Sequence, residues 1–372
     1  MRNHLFGCLL LGAFVCCVST TTAQTNFSKV DAHARQVAFP AEQNVALLAA
    51  DLTAGLTTET EKARTIFVWI TANIRYDAKL IMADDVEVEE VKSKQRPAEV
   101  LRSKRAICEG YANLYTEICQ AAGLKSLVAT GLTKTPSGRI PRIGHAWNLV
   151  RTEGEWKLID ATWGAGSLDD DKKYVAAFDD TYFFSEPQTF GQNHFPTDPL
   201  FQLLEKPMDL ATFRANNSGR VTALAAAGGL TILQVKDSLN LFVGLDSAAA
   251  RLNGALRTLR FDPTNGQANF SLALHQFNAS NQLFYDYQSV QQQLMQKRTP
   301  LTLEQLKQDG VQLLRIQQLL DACKQTIAHI PPGDRHYRTG QSLQRTADSN
   351  KRSCQEALKF NQDMQGRLKG KG

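Results

Sequence analysis

Hydrophobic residues recur with a helical period along the first part of the chain. The run NVALLAADLTAGLTTETEKARTIFVWITANIRYD predicts two helices on either side of a Gly-Leu-Thr-Thr turn, with Thr58 as the cap of the second. The apolar positions of that second helix fall on one face and are Ala63, Ile66, Phe67 and Ile70. A further helical pattern runs from Cys108 to Gly123, and glycine commonly ends a helix.

After Gly123 the pattern changes to one of alternating positions. The stretch KSLVATGLT predicts a strand, KTPSGRIPRIG a basic, turn-rich loop, and HAWNLVRTEGEWKLIDATW a β-hairpin about Glu153 and Gly154. Before the Cys108 helix, the charge-dense segment ADDVEVEEVKSKQRP predicts a solvated loop. A helix followed by antiparallel strands is typical of an α+β domain.

The composition shifts in the second half of the chain. The polar residues Asn216 to Gly219 form a candidate linker, and the sequence beyond them is rich in Gln, Leu and Ala. Helical stretches separated by Pro and Gly follow, which predicts a small helical bundle over residues 220–372. All four tryptophans precede the linker, and this predicts one aromatic-rich core in residues 24–215.

The first residues have the layout of a secretory signal peptide. MRNHLFGCLLLGAFVCCVSTTTAQ carries a short basic start, an apolar stretch and small residues before a cut after Ala23. A lipid-modified cysteine is the less favoured alternative, because Cys8 lies too early and Cys16 and Cys17 follow Val and Cys rather than small residues. We therefore expect a signal peptide over residues 1–23 and a secreted or periplasmic mature chain without a membrane span.

Charge and cysteine usage narrow the function further. With 42 Lys and Arg against 37 Asp and Glu, the chain has no strong basic field, so we expect no nucleic-acid partner.

Cys119 lies about 16 Å from Cys108 along one helix, too far for a disulfide, and packing is its expected role. Cys323 and Cys354 flank the IPPGD turn unequally, which predicts no disulfide between them unless Gly340 breaks the last helix.

Cys108 occupies a helix start, where Ser, Asp or Asn would be the better cap. The first backbone N–H groups of a helix lack internal partners, and the helix dipole adds partial positive charge there. A thiolate at that position is stabilised, and the same N–H groups can receive the negative charge of a carbonyl oxygen under attack. This predicts a nucleophile, against the plainer interpretation of a buried, inert cysteine.

The hairpin predicts a base and its partner on one face of the sheet. A turn over residues 152–153 pairs His145 directly with Asp160, whereas a turn over residues 153–154 pairs His145 with Thr162 and leaves Asp160 on the diagonal. In either register His145 and Asp160 share a face, and a one-residue slip would separate them. The carboxylate can then orient the imidazole while the other ring nitrogen takes the proton of the cysteine.

Three ordered blocks of sequence carry a resemblance to a known family, and they are CEGYANLYTEICQAAGL, GHAWNLV and WKLIDATWGAG. They are similar to the signature blocks of the transglutaminase-like superfamily, whose fold is papain-like, and DATWGAG resembles the kyphoscoliosis-peptidase-like and bacterial exported members. YFFSEPQTFGQNHFPTDPLFQLLEKP resembles the stretch that follows the core in those relatives, so the resemblance covers about residues 60–210. It implies Cys108 as the nucleophile, His145 as the base and Asp160 as the residue that orients the base.

The resemblance also implies a reaction, namely attack on an amide carbonyl of a protein or peptide, a thioester intermediate, and transfer to water or an amine. DATWGAG favours the peptidase-like over the transglutaminase- or deamidase-like acceptor only narrowly. Tyr111 and Trp163 are candidate substrate-binding residues, with core packing as an equal alternative. A cell-wall factor acting on peptidoglycan peptides stays open. The rival from another class is a non-catalytic binding or scaffold protein with the same domain.

No metal or other cofactor is expected. The histidines outside the motif blocks show no metal-ligand spacing with Cys or carboxylates, and they include His194, His275, His329 and His336. The oligomeric state is left open by the sequence.

Overall fold

The computed structural model describes residues 26–82, 87–141, 143–215 and 232–370. The predicted signal peptide and linker lie outside these ranges. The helices are α1 (Ser28–Gln36), α2 (Val45–Thr53), α3 (Glu59–Asn73), α4 (Ala78–Met82), α5 (Val88–Lys94), α6 (Pro97–Ser103), α7 (Cys108–Ala121), α8 (Ala161–Ala165), α9 (Pro187–Phe190), α10 (Leu210–Ala215), α11 (Ile232–Val243), α12 (Ser247–Phe261), α13 (Gly266–Gln296), α14 (Leu303–Ala328) and α15 (Tyr337–Lys369). The strands are β1 (Arg75–Tyr76), β2 (Arg105–Ala106), β3 (Lys125–Thr133), β4 (His145–Thr152), β5 (Glu155–Ile159), β6 (Gly166–Leu168), β7 (Tyr174–Ala176), β8 (Phe183–Ser185) and β9 (His194–Pro196).

A five-stranded antiparallel sheet in the order β8-β5-β4-β3-β9 forms the centre of the first region. The predicted hairpin is present, and Thr152 opposes Glu155, so the turn is Glu153-Gly154. Both turn residues have positive φ, 47° and 84°, as a tight hairpin turn requires. The second of the two predicted registers is therefore the one that forms, and the α+β fold is confirmed.

Each face of the sheet packs on its own hydrophobic core. Helices α2, α3 and α7 cover one face, and this core contains Trp69. The other face carries Trp147 and Trp156 and packs on the short 3-10 helix Pro199–Gln202 and on α11. The prediction of one aromatic-rich core was wrong, because side chains alternate between the two faces of a strand and both faces are covered. Helix α11 lies beyond the predicted boundary at residue 220, yet it completes the second core.

The charge-dense segment before the Cys108 helix was predicted as a loop, but its described part is largely helical. Helix α5 begins at Val88, and Glu90 pairs with Lys94 one turn later at 2.7 Å. At the end of α5, Gln95 is buried and its Oε1 accepts a hydrogen bond from the backbone N–H of Ile107 at 3.0 Å. Opposite charges spaced by four residues support a helix. The loop prediction was wrong because it considered only the density of these charges and not their spacing.

The long helices α13, α14 and α15 pack through a buried stripe that includes Cys323 and Cys354. Sγ of Cys354 lies 3.2 Å from the carbonyl oxygen of Leu313, which is about 15 Å before Cys323 along α14. Gly340 lies inside α15 without breaking it. Cys323 and Cys354 are thus separated along the helix axis, and the described cysteines are all unpaired. Within the described ranges, no helix combines the length and apolar character of a membrane span.

The helical region is attached to the sheet beside β9. Arg257 of α12 binds the carboxylate of Asp198 at 3.2 and 2.7 Å, and the hydroxyl of Thr258 donates to the carbonyl oxygen of Thr197 at 2.9 Å. Burial raises the pKa of Asp198, and the arginine opposes that shift. These contacts join the two regions three and four residues after His194.

Candidate functional site

Cys108 is the first residue of α7, and no side chain caps this helix start. The preceding residue, Ile107, is fixed by the hydrogen bond from its N–H to Gln95. A Cβ on Gly110 would lie 2.5 Å from Oε1 of Gln95, so the glycine lets the helix start approach that side chain. Cys108 is 8% exposed and packs against Ala112 and against Ala146 of β4. The thiol therefore lies at a helix start whose backbone N–H groups have no side-chain cap, as the sequence predicts.

His145 and Asp160 meet as the hairpin predicts. Nε2 of His145 lies 2.7 Å from Oδ2 of Asp160, just beyond the last pair of the β4–β5 ladder, Asn148 with Ile159. The Cys108 thiol lies near the imidazole and helps to raise its pKa. Because Nε2 faces the carboxylate, Nδ1 is the ring nitrogen that remains for the thiol. The structure thus brings the three predicted residues together.

Asp160 accepts hydrogen bonds on both of its oxygens. Oδ1 caps α8 by accepting from the backbone N–H groups of Thr162 at 2.8 Å and Trp163 at 3.1 Å. Oδ2 accepts from His145 and also from Nε2 of His194 at 3.0 Å. The carboxylate is completely buried. Four converging donors fix its position and keep it ionised.

His194 is a residue of this site that sequence reasoning missed. It begins β9, is 1% exposed, and stacks on Phe190 with ring centroids 3.9 Å apart. Its Nδ1 lies 2.6 Å from the side-chain amide of Asn193. The sequence analysis considered His194 only as a possible metal ligand and found no matching spacing. A signal was available, since HFP follows the core blocks in the part of the chain that carries the resemblance.

The two histidines titrate in opposite directions. Burial lowers the pKa of His145, but the charge of Asp160, its hydrogen bond and the Cys108 thiol more than offset this and raise that pKa to about 10. For His194, burial dominates over the bond to Asp160 and lowers the pKa to about 4. Burial would raise the pKa of Asp160, and the charge of His145 with the bonds from both histidines lowers it instead. At neutral pH His145 is therefore the cation and His194 a neutral donor.

Asn148 and Tyr76 are two further polar residues beside the site. Nδ2 of Asn148 donates to the carbonyl oxygen of Ala112 at 3.0 Å and to the hydroxyl of Thr116 at 2.9 Å, which ties β4 to α7. Burial and the charges of Cys108 and Asp160 raise the pKa of Tyr76, so its hydroxyl stays protonated. Neither residue belongs to a local pattern that would have singled it out.

The two predicted substrate-binding residues have different outcomes. Tyr111 is 1% exposed, and its hydroxyl donates to the carbonyl oxygen of Ile74 inside the core. It packs rather than lining a cleft, because its position on α7 turns the ring away from the thiol and into the first core. Trp163 is half-buried, with its ring centroid 5.5 Å from that of His145. Contact of Trp163 with a substrate stays a prediction.

His145, Asp160 and His194 also offer ligand atoms that all lie within 4.8 Å of one another. Two histidines and a carboxylate are chemically suited to zinc. Here both Nε2 atoms lie at hydrogen-bond distance from the same oxygen of Asp160, and the shared donors satisfy that oxygen. An ion would have to replace both bonds inside a buried site. The set fits a hydrogen-bonded network better than a metal centre.

Comparison with known proteins shows what the first region is similar to. Residues 46–161 match the family model described as the transglutaminase-like superfamily. Kyphoscoliosis peptidase of Homo sapiens is 33% identical over 196 residues, which are 51% of this chain and 28% of that protein. Hillarin of Drosophila melanogaster is 28% identical over 297 residues, 74% of this chain and 34% of that protein. The chain thus spans about a third or less of these relatives. A solved structure described as a TGase matches at 17% identity over 43% of this chain and 38% of its own chain. The TM-score is 0.25, which is too low to support a conclusion about this chain.

Proposed function

We propose that the transglutaminase-like domain of this chain is a cysteine enzyme that attacks peptide or side-chain amides through a thioester on Cys108. The observation that supports this most strongly is the 2.7 Å hydrogen bond between His145 and Asp160, made by an imidazole whose pKa the nearby Cys108 thiol helps to raise. A nucleophile, a base and an orienting carboxylate in that order are the parts that acyl transfer needs.

In the first half-reaction, Sγ of Cys108 attacks the amide carbonyl carbon as a thiolate, its proton having passed to His145. The oxygen becomes an oxyanion, which the uncapped N–H groups at the start of α7 can receive. Tyr76, whose hydroxyl stays protonated beside Cys108, is a second candidate donor. The tetrahedral species collapses when the C–N bond breaks and His145 gives its proton to the leaving amine. Cys108 then carries the acyl group as a thioester.

In the second half-reaction, His145 takes a proton from water or from an amine that attacks the thioester. The C–S bond breaks, and a carboxylic acid or a new amide leaves. We propose water as the acceptor, which makes the reaction a hydrolysis. The support is the relative at 33% identity, which is named a peptidase.

Labelling of Cys108 by a thiol-reactive amide probe tests the chemistry. We expect the purified chain to be labelled at Cys108 and the Cys108→Ala variant to remain unlabelled, as read by intact mass and peptide mapping. Cys119 is fully buried and serves as an internal control that should stay unmodified. Equal labelling of wild type and Cys108→Ala would refute the proposal, and would favour the non-catalytic binding role.

The acceptor is tested separately on a glutamine-containing protein. Hydrolysis predicts peptide cleavage or ammonia release without incorporation of a fluorescent amine. Incorporation of the amine by wild type but not by Cys108→Ala would replace the peptidase-like proposal with a transglutaminase-like one.

We further propose that the chain is exported after cleavage at Ala23. The support is the basic, apolar and small-residue layout of residues 1–23. Amino-terminal sequencing of the mature protein should begin at Gln24, and recovery from the cytoplasm with Met1 intact would overturn export without touching the chemistry.

A further inference from the structure

The turn between α14 and α15 brings a charged side chain from the helical region to Gly144, the residue before His145. Arg335 is exposed, and a Cβ on Gly144 would lie only 3.3 Å from its Nη1. Gly144 immediately precedes His145 at the start of β4. The absence of a side chain at this glycine therefore leaves room for an arginine beside the base.

Contacts on both sides of the guanidinium fix the position of this turn. Nη2 of Arg335 donates to Oε1 of Gln267 at 3.1 Å, and the same oxygen accepts from the hydroxyl of Thr197 at 3.4 Å. The carboxylate of Asp334 packs against Gly266 at the start of α13, so closely that a Cβ there would overlap it. The arginine is thus held at the junction of the two regions rather than at a loose loop tip.

In the described part of the chain, Arg335 forms no ion pair with an acidic side chain; its side-chain partner is Gln267. The adjacent Asp334 accepts instead from the backbone N–H and Nδ1 of His336, at 2.8 and 2.9 Å. Arg139, in the segment that leads to His145, is also exposed. On the helix side, Glu109 follows Cys108 and is exposed. Exposed positive charge therefore lies on the segment before His145 and on the turn that carries Arg335, whereas exposed negative charge follows the thiol.

We propose that Arg335 is a specificity-determining residue that binds a substrate carboxylate next to the reacting amide. The inference rests on the proposed thiol chemistry of Cys108 and names its substrate class, namely peptides with Asp or Glu beside the amide under attack. A guanidinium binds a carboxylate through charge-assisted hydrogen bonds, which are about twice as strong as neutral ones. Gln267 holds Nη2, which leaves Nη1, beside Gly144, for the ligand.

Electrophilic peptide probes that differ only in the residue beside the electrophile, Glu, Gln or Lys, test this. We expect wild type to be labelled at Cys108 about tenfold faster by the Glu probe than by the Lys probe at low salt. The preference should shrink as ionic strength rises, because exposed charges are screened. Arg335→Gln should remove the preference, and Arg335→Lys should retain part of it.

Arg338→Gln is the matched control, because this arginine is also exposed and lies one turn further along in α15. It should keep the wild-type preference. Equal labelling by the Glu and Lys probes in wild type, or a full preference in Arg335→Gln, would overturn the inference while the thiol chemistry stands. If Cys108→Ala is labelled as fast as wild type, the proposed function itself fails. Thermal unfolding of Arg335→Gln should match that of Arg338→Gln; a drop in the Arg335 variant alone, with the preference kept, would mark a purely structural contact.

Discussion

The sheet region and the helical region bury their polar groups in different ways. In the sheet region, buried polar side chains bond partners far away in sequence, such as Asp160 to His194 and Asn148 to Ala112. In the helical region, the buried stripe of α13 to α15 is largely apolar, and its polar contacts, such as that of Thr326 with Gln276, join the helices to one another. Long-range polar contacts fix the positions of reacting atoms, whereas apolar stripes fix only the packing of helices. Changes in the first region should therefore alter chemistry, and equivalent changes in the second should alter stability alone.

Asp160→Asn should give the largest difference between the regions. Asn can still cap α8, but it cannot stabilise a cationic His145, so the rate of amide turnover should fall by about a thousandfold or more. The matched control is Asp246→Asn in the helical region, since Asp246 caps α12 through Ala248 and Ala249 and bonds no histidine. Asn caps helices as well as Asp, so the control should keep its turnover and its melting temperature. Similar turnover in both variants would contradict the assignment of Asp160.

His194→Phe should have the next largest effect. The ring keeps its stacking on Phe190 but loses the donor to Asp160, and we expect turnover to fall by about 10- to 100-fold. His194→Gln keeps a donor and should recover part of the loss, which a purely structural role would not predict. His275→Gln, an exposed histidine of α13, should match wild type.

The same histidine predicts the pH dependence of stability. The pKa of His194 is lowered to about 4, below the usual value near 6.5 of an unfolded chain. Between these values the unfolded state binds a proton that the native state does not, so stability should rise as pH increases from 4 to 6.5. His145 acts in the opposite sense, because its raised pKa of about 10 makes its contribution disappear as pH climbs from 6.5 to 10. Thermal unfolding of the reduced chain across this range records both limbs, and His194→Gln tests the acidic one; an unchanged acidic limb in that variant would contradict the assignment.

Asn148→Leu and Asn361→Leu compare one buried amide in each region. Asn148→Leu removes the side-chain hydrogen bonds to Ala112 and Thr116 that tie β4 to α7, and it should cost about 2 kcal/mol of unfolding free energy, together with slower labelling of Cys108. Asn361→Leu should cost about 1 kcal/mol and leave the labelling rate unchanged. Urea unfolding and probe kinetics on the same samples separate the two effects. Slower labelling of Cys108 in the Asn361 variant would contradict the conclusion that changes in the helical region alter stability alone.

Arg257→Gln should have the smallest effect on the chemistry and act on the joint between the regions. It removes the partner of Asp198, whose carboxylate is largely buried, and should cost about 1–2 kcal/mol of unfolding free energy. Arg260→Gln, an exposed neighbour on α12, is the control and should cost little. Equal melting temperatures for the two variants would show that the ion pair does not hold the joint.

The predicted catalytic residues follow from local rules. A helix start places Cys108, and strand alternation places His145 and Asp160 on one face, so short-range geometry was sufficient. His194 could not be placed in this way, because β9 has only three residues and joins the site by pairing with β3 more than sixty positions earlier. The helices of the second half were predictable from their periodicity. Their partners were not, since an amphipathic face does not tell whether it meets another helix or, as α11 does, the sheet.

The strand that carries His194 also decides what could be produced as a working fragment. The family match ends at residue 161, which includes the cysteine, the first histidine and the aspartate but stops short of β9. A polypeptide trimmed to that match would expose the edge of β3 and leave one oxygen of the aspartate with a single donor from a histidine. The smallest self-sufficient piece is thus longer than the stretch that the family model matches, and it includes the segment through α11 that closes the far side of the sheet.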